Sequence, residues 1–173
     1  YLTNVANGGT VLPKIPLAFG GDGKNSYTTF TWFEAAEIAR SHGKRLLSYP
    51  EFAAAAFGVT ENQSLGGDSA ILPATTREAG YTSKWGVEQA TGHLWVWGDC
   101  AHGVAGSAST ANPDTIEGAG RGQTYGTPYA AQFGGARDYE ELSGSRASRW
   151  AHTPWSSIWS VGMRASCDHQ QLA

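Results

Sequence analysis

Two cysteines, Cys100 and Cys167, and the histidines His93, His102, His152 and His169 are the side chains of this sequence best able to do chemistry. A pair of cysteines fits one disulfide, two buried thiols or a reactive couple, and the spacing does not choose between them. The histidines show no i, i+4 pairing on a helix, so no metal-ligand set is read, and no metal or other cofactor is expected. His169 follows Asp168, which suits a structural His–Asp hydrogen bond. Gly20-Gly21-Asp22-Gly23 lacks the Gly-Lys-Ser/Thr ending of a phosphate cradle and reads as a turn, as does Asn112-Pro113-Asp114. Arg146 and Arg164 sit among glycines. Their five-donor forks are read as holding main-chain carbonyls rather than an anion.

A different kind of site is written into the segment from Phe133 to Ala173. Gly134, Gly135, Gly144, Pro154 and Gly162 make demands on the backbone, and Trp150, Trp155 and Trp159 supply bulk. Between them stand residues of no common chemistry: Ala136, Asp138, Tyr139, Leu142, Arg149, Ala151, His152, Ser156, Ile158 and Ser160. A rigid frame carrying arbitrary contact residues suits recognition and not one fixed reaction, so these ten are the candidate ligand-binding positions and no catalytic residue is expected. For them to serve one partner they must converge on one face. Ser156, Ile158 and Ser160 are two apart, so a strand there would point them the same way.

These positions need elements to hold them. The chain has 173 residues, 40% hydrophobic and 16% charged, enough for one folded domain with a core. A net charge of −3 and the absence of lysine after Lys84 leave no basic track for nucleic acid. No apolar run reaches the length of a membrane span. The sequence from Tyr1 is read as a single domain over 1–173, a fragment of a longer chain, with a variable region at about 133–169. Thr31-Trp32-Phe33-Glu34 and Ser48-Tyr49-Pro50-Glu51 are both capping boxes, with Pro50 in a first turn and Gly43 and Gly58 as stops. Two short helices, joined by Lys44–Leu47, follow. His93–Trp97 reads as a strand with at least one indole in the core and the two on opposite sides. Tyr129–Phe133 and Ser157–Arg164 are further strands, and the Gly-, Ala-, Ser- and Thr-rich stretch 98–126 is a long loop. The class is α+β, with short antiparallel strands and long ordered loops.

Trp32-Phe33-Glu34-Ala35-Ala36, Lys44-Arg45-Leu46, Tyr49-Pro50-Glu51-Phe52 and Gly92-His93-Leu94-Trp95-Val96-Trp97 resemble, in that order, C-type lectin domains of the formylglycine-generating-enzyme type. Phe133-Gly134-Gly135 and Val161-Gly162-Met163-Arg164 complete the series. The ending, Ser143-Gly144-Ser145-Arg146-Ala147 with Trp150, Pro154 and Cys167-Asp168-His169, resembles the phage receptor-binding proteins whose last segment is rewritten by a diversity-generating retroelement.

The resemblance implies a C-type lectin fold, a cell-surface protein or glycan as partner, a place on a virion or cell surface, and a homotrimer. It also implies a rule of variation. Random replacement of adenine in Asn codons reaches every residue whose codon ends in a pyrimidine, and never Trp, Met, Glu, Gln or Lys. All ten contact positions pass; Glu140, Glu141, Trp150, Trp155, Trp159 and Met163 do not and read as fixed. Asn is absent after Asn112. Two alternatives come with the resemblance. One is an oxidase of the formylglycine-generating type, against which Cys100 and Cys167 read as a structural pair, buried or bridged. The other is a calcium-dependent sugar lectin using Asn112-Pro113-Asp114. Substitution of Lys14 or Glu61, remote in sequence from the face, is expected to do little to it.

Overall fold

The computed structural model describes residues 28–66, 78–103 and 128–167. The turns read at Gly20–Gly23 and Asn112–Asp114, the Asp168–His169 pair and Lys14 lie outside the described residues. Helix α1 spans Trp32–Ser41. Its capping box closes as the sequence requires: Glu34 N donates to Thr31 Oγ1 at 3.2 Å and Thr31 N to Glu34 Oε2 at 2.7 Å. Ala35, Ala36, Ile38 and Ala39 form its buried stripe. Helix α2, Tyr49–Ala55, begins in the same way, with Ser48 N and Oγ donating to Glu51 Oε2 at 2.8 and 2.7 Å. The same carboxylate takes both guanidinium arms of Arg45. Those bonds, then the ones from Ser48, hold Glu51 at a pKa of about 2.

The connection between the helices is itself a strand, β1 (Arg45–Leu46), paired antiparallel with β6 (Ala165–Ser166). The larger sheet has the order β4-β3-β2-β5, made of Ser148–His152, Pro128–Phe133, Trp95–Gly103 and Val161–Gly162. β2–β3 and β3–β4 are antiparallel; β2–β5 is parallel, which makes this sheet mixed where only antiparallel pairing was expected.

A helix covers each face of this sheet. Trp95, Trp97 and Ala130 pack with Phe30 and the α1 stripe, while Val96, Ala131 and Phe133 pack with Phe52 of α2, Leu47 and Ala56. Trp95 and Trp97 are both buried and both on the α1 side. Residues two apart on a strand share a face, so the expectation that the indoles divide between faces is corrected. Two cross-ties seat α1: Trp97 Nε1 donates to Phe30 O at 3.2 Å, and Trp32 Nε1 to Gly98 O at 2.7 Å.

Two further expectations change. Ser157–Arg164 is not one strand; only Val161–Gly162 pairs with β2, and 153–160 is a turning loop. That loop is tied to the entry of α1 instead, by Trp32 N to Pro154 O at 2.9 Å and Thr29 N to Ile158 O at 3.2 Å. Conversely, Ser148–His152 forms the edge strand β4, which the arbitrary-looking Arg149, Ala151 and His152 around the fixed Trp150 did not signal.

Candidate functional site

The candidate positions hang from a braced turn. Gly134 and Gly135 have φ of +96° and +85°, backbone that side chains rarely adopt. A Cβ on Gly135 would lie 2.1 Å from Ser143 Oγ, so the loop closes on itself only because that position is bare. Gly134 O accepts from Gly92 N at 3.1 Å and Gly144 N at 3.2 Å, and Gly134 N donates to Ala147 O at 3.0 Å.

A second brace comes from the turn after α2. The Glu61 carboxylate accepts from Ser145 N at 2.9 Å and Ser145 Oγ at 2.5 Å, and Asn62 N donates to Ser143 O at 2.9 Å. Ser64 Oγ donates to Arg137 O at 2.6 Å and accepts from Glu140 N at 3.1 Å, while Arg137 Nε donates to Gly66 O at 3.0 Å. Glu61 is therefore part of the frame. Sequence distance concealed it, because nothing local marks a contact that spans 84 positions.

On this frame Tyr139, Arg149 and His152 come together. Strand register places Gln132 opposite Arg149 and Trp97 opposite Gln132, so these side chains share the α1 face of the sheet. Arg149 Nε donates to Gln132 Oε1 at 2.6 Å and its Nη1 donates to the Tyr139 hydroxyl. The guanidinium carbon lies 4.2 Å from the Trp95 ring centroid and 4.9 Å from that of Tyr139. Those rings meet edge to face, 5.2 Å apart at 84°. Arg149 is thus held by two hydrogen bonds and two aromatic faces. Burial pulls its pKa down from the usual guanidinium range, opposed by Tyr139 and by the charge of Asp138. It stays a cation.

His152 Nδ1 lies 3.2 Å from Gln132 Oε1, a contact that assigns the ring proton to Nδ1. Burial, then Arg149, lowers its pKa, so the ring is neutral at pH 7.

The other candidates divide. Asp138, Leu142 and Ala151 are exposed, Leu142 at 64%. Ile158 is half-buried and, like Tyr139, leans on the Trp95 cluster. Half-buried Ser156 shares a 2.8 Å hydrogen bond with Thr153. Ala136 and Ser160 are buried, at 0% and 6% exposure. Ala136 is a core residue bridged to His93, and Ser160 lends its carbonyl to Trp95 N at 3.0 Å, so neither side chain presents surface. The shared direction expected for Ser156, Ile158 and Ser160 fails with the strand that was to supply it. Trp155 and Trp159, read as fixed bulk, are instead exposed at 56% and 46%.

Two contributors escaped the sequence. Gln132 centres the cluster, and its one visible sign is a polar residue inside the apolar run Tyr129–Phe133. Trp95, read as core, is core and also the platform for Arg149. Arg164 does hold main-chain carbonyls, those of Glu88 and Gln89. At Arg146 it is the carbonyl that is engaged, by the Tyr49 hydroxyl at 3.1 Å. Cys100 and Cys167 are free thiols and both exposed, which corrects the reading of a buried or bridged pair. Burial and Asp99 push the Cys100 thiol up, away from the nucleophilic thiolate.

Two helices on a small mixed sheet, with a braced loop carrying the variable-looking residues, constitute a C-type lectin fold. Solved structures carry the comparison. The chain is similar to the Major Tropism Determinant M1 variant (43% identity, TM-score 0.68, over 89% of this chain and 41% of that one). It is similar also to the U1 variant (42%, 0.69, over 95% and 44%). In sequence it is 44% identical, over 98% of its own length, to the tail fiber receptor-binding protein of Bordetella phage BPP-1. The chain spans less than half of these relatives, 45% of the tail fiber protein. No protein-family model matches it.

Proposed function

We propose that this domain is the receptor-binding part of a phage tail-fiber protein. The face formed by Asp138, Tyr139, Leu142, Arg149, Ala151, His152 and Ile158 would engage a protein or glycan on the host cell surface. The observation that carries this reading is the convergence of Tyr139, on a loop braced by main-chain bonds and Glu61, with Arg149 and His152 of β4. Side chains on such a face can change while the backbone beneath them keeps its bonds. The printed role of the relative, receptor binding on a tail fiber, points the same way.

The reading places the domain at the tail-fiber tip, with no catalytic role, nucleic-acid partner or membrane insertion. Among the described residues no helix is long and apolar enough to cross a membrane. A homotrimer would present several copies of the face, and linked sites of that kind raise avidity by roughly 100- to 10,000-fold without new contacts. Diversification by a retroelement completes the proposal.

Adsorption of purified protein to host cells, compared across variants, tests the face. Tyr139→Ala and Arg149→Ala should each weaken binding by about 1–2 kcal/mol or more, while Lys44→Ala, in the turn between α1 and β1, leaves it unchanged. Cross-linking that placed the receptor on α1 and α2, away from these side chains, would overturn it. A near-identical, Asn-codon-rich repeat beside a reverse-transcriptase gene would test the diversification.

A further inference from the structure

On the reading that this face binds a receptor, we infer that Arg149 is a preformed seat for a single carboxylate of that receptor. The inference rests on an imbalance between donors and acceptors. Arg149 spends its Nε on Gln132 and its Nη1 on Tyr139, and among the described residues its Nη2 has no hydrogen-bond acceptor and the guanidinium has no carboxylate partner. Gln132 is fully buried; its Oε1 serves both Arg149 and His152, and its Nε2 has no acceptor. Trp95, whose ring carries the guanidinium, also has a buried Nε1 without an acceptor. The groups left over are all donors. Gln132 Nε2 and Trp95 Nε1 are closed off from solvent, so the donor open to a ligand is Nη2 of Arg149; an acceptor that also brings negative charge, as a carboxylate does, suits it.

The seat is ready before any ligand arrives, because Trp95, Tyr139 and Gln132 already fix the fork in place. Preorganisation of this kind removes the ordering cost of binding. The surroundings select one acid and not a polyanion. Asp138, Glu140 and Glu141 are exposed on the same loop, and Asp138 is close enough for its charge to be felt at Arg149. A chain of like charges laid across them is repelled.

The carboxylate can belong to an Asp or Glu of a protein receptor or to an acidic sugar, and small probes separate the two. N-acetylglutamate amide, N-acetylglutamine amide, glucuronate and glucose would be titrated into the whole chain, following the Arg149 Nε–H and Trp95 indole resonances. At least one acid should move both signals at roughly tenfold lower concentration than its neutral counterpart; response to glutamate alone supports a protein source and to glucuronate alone a glycan. Asp138→Asn should tighten acid binding about twofold, and Arg149→Gln, with its fold checked by circular dichroism, should abolish it. Equal response to acid and neutral probes, or an unchanged response in Arg149→Gln, overturns the seat. If that happens while Tyr139→Ala still loses cell adsorption, the carboxylate seat falls and the receptor-binding face stands.

Discussion

His93 makes the fold beneath the binding face sensitive to acid. Its imidazole is 3% exposed, and among the described residues neither ring nitrogen has a hydrogen-bond partner. Burial, and after it the charges of Arg137 and Arg164, lower its pKa from 6.5 to about 4. A base held neutral by folding binds its proton more readily in the unfolded chain. Stability is therefore complete above pH 6.5 and is lost as pH falls from there toward 4. At 1.36 kcal/mol per unit, the gap between 6.5 and about 4 gives a loss of about 3 kcal/mol below pH 4, of which about 2 kcal/mol has gone by pH 5. Urea unfolding at pH 8 and pH 5, in the wild type and in His93→Phe, measures this directly. Each protein is compared with itself, so any change in stability at neutral pH cancels. His152, shifted in the same direction, titrates in both proteins. The wild type should lose about 2 kcal/mol more than the variant over that interval. Equal losses would refute the argument that burial and the charges of Arg137 and Arg164 keep this imidazole neutral.

Other variants separate frame from face. Trp95→Ala should cost about 3–5 kcal/mol in thermal unfolding, whereas Asp138→Ser, Leu142→Ser and Ala151→Ser should each stay within about 0.5 kcal/mol; comparable shifts in the two sets would erase the division. Glu61→Ala leaves the nearly buried Ser145 N–H and hydroxyl without their acceptor and should cost about 1–3 kcal/mol. Receptor binding should weaken with it, since the loop carrying Tyr139 loses its brace. Cys100→Ser and Cys167→Ser should leave receptor binding unchanged, because both thiols are free. A copper-dependent oxidation of a cysteine peptide, lost in either variant, would contradict that.

Both helices were legible because capping is local: Thr31 with Glu34 and Ser48 with Glu51 are three residues apart and set their own starts. The strand at Pro128–Phe133 was legible from its apolar run. The edge strand β4 was not, since Arg149, Ala151 and His152 carry no strand pattern; their pairing is imposed by β3. The loop 153–160 misled in the opposite way. Ser156, Ile158 and Ser160 mimic a strand's alternation, but the loop's backbone is taken by α1's entry through Pro154 O and Ile158 O, and by β2 through Ser160 O. At the site, Tyr139, Arg149 and His152 could be picked out by type. The residues that orient them, Gln132 and Glu61, act through contacts between strands and turns far apart in the chain, which no local spacing encodes.

Two sealed positions shrink the repertoire such a face can explore. Ala136 lies wholly inside the Trp95–Trp97 core, and Ser160 is closed in beside β2. Any rewriting of Ala136 to a larger residue must overfill a packed interior, at a cost of about 1–3 kcal/mol. On the proposed receptor-binding role, such a change lowers folding stability before it can alter what the face binds. Heritable variety, on the proposed diversification, is set less by how many codons can be altered than by how many of them lie outside the core. The opposite holds for Leu142, 64% exposed, where nearly any side chain survives to be tested on a host.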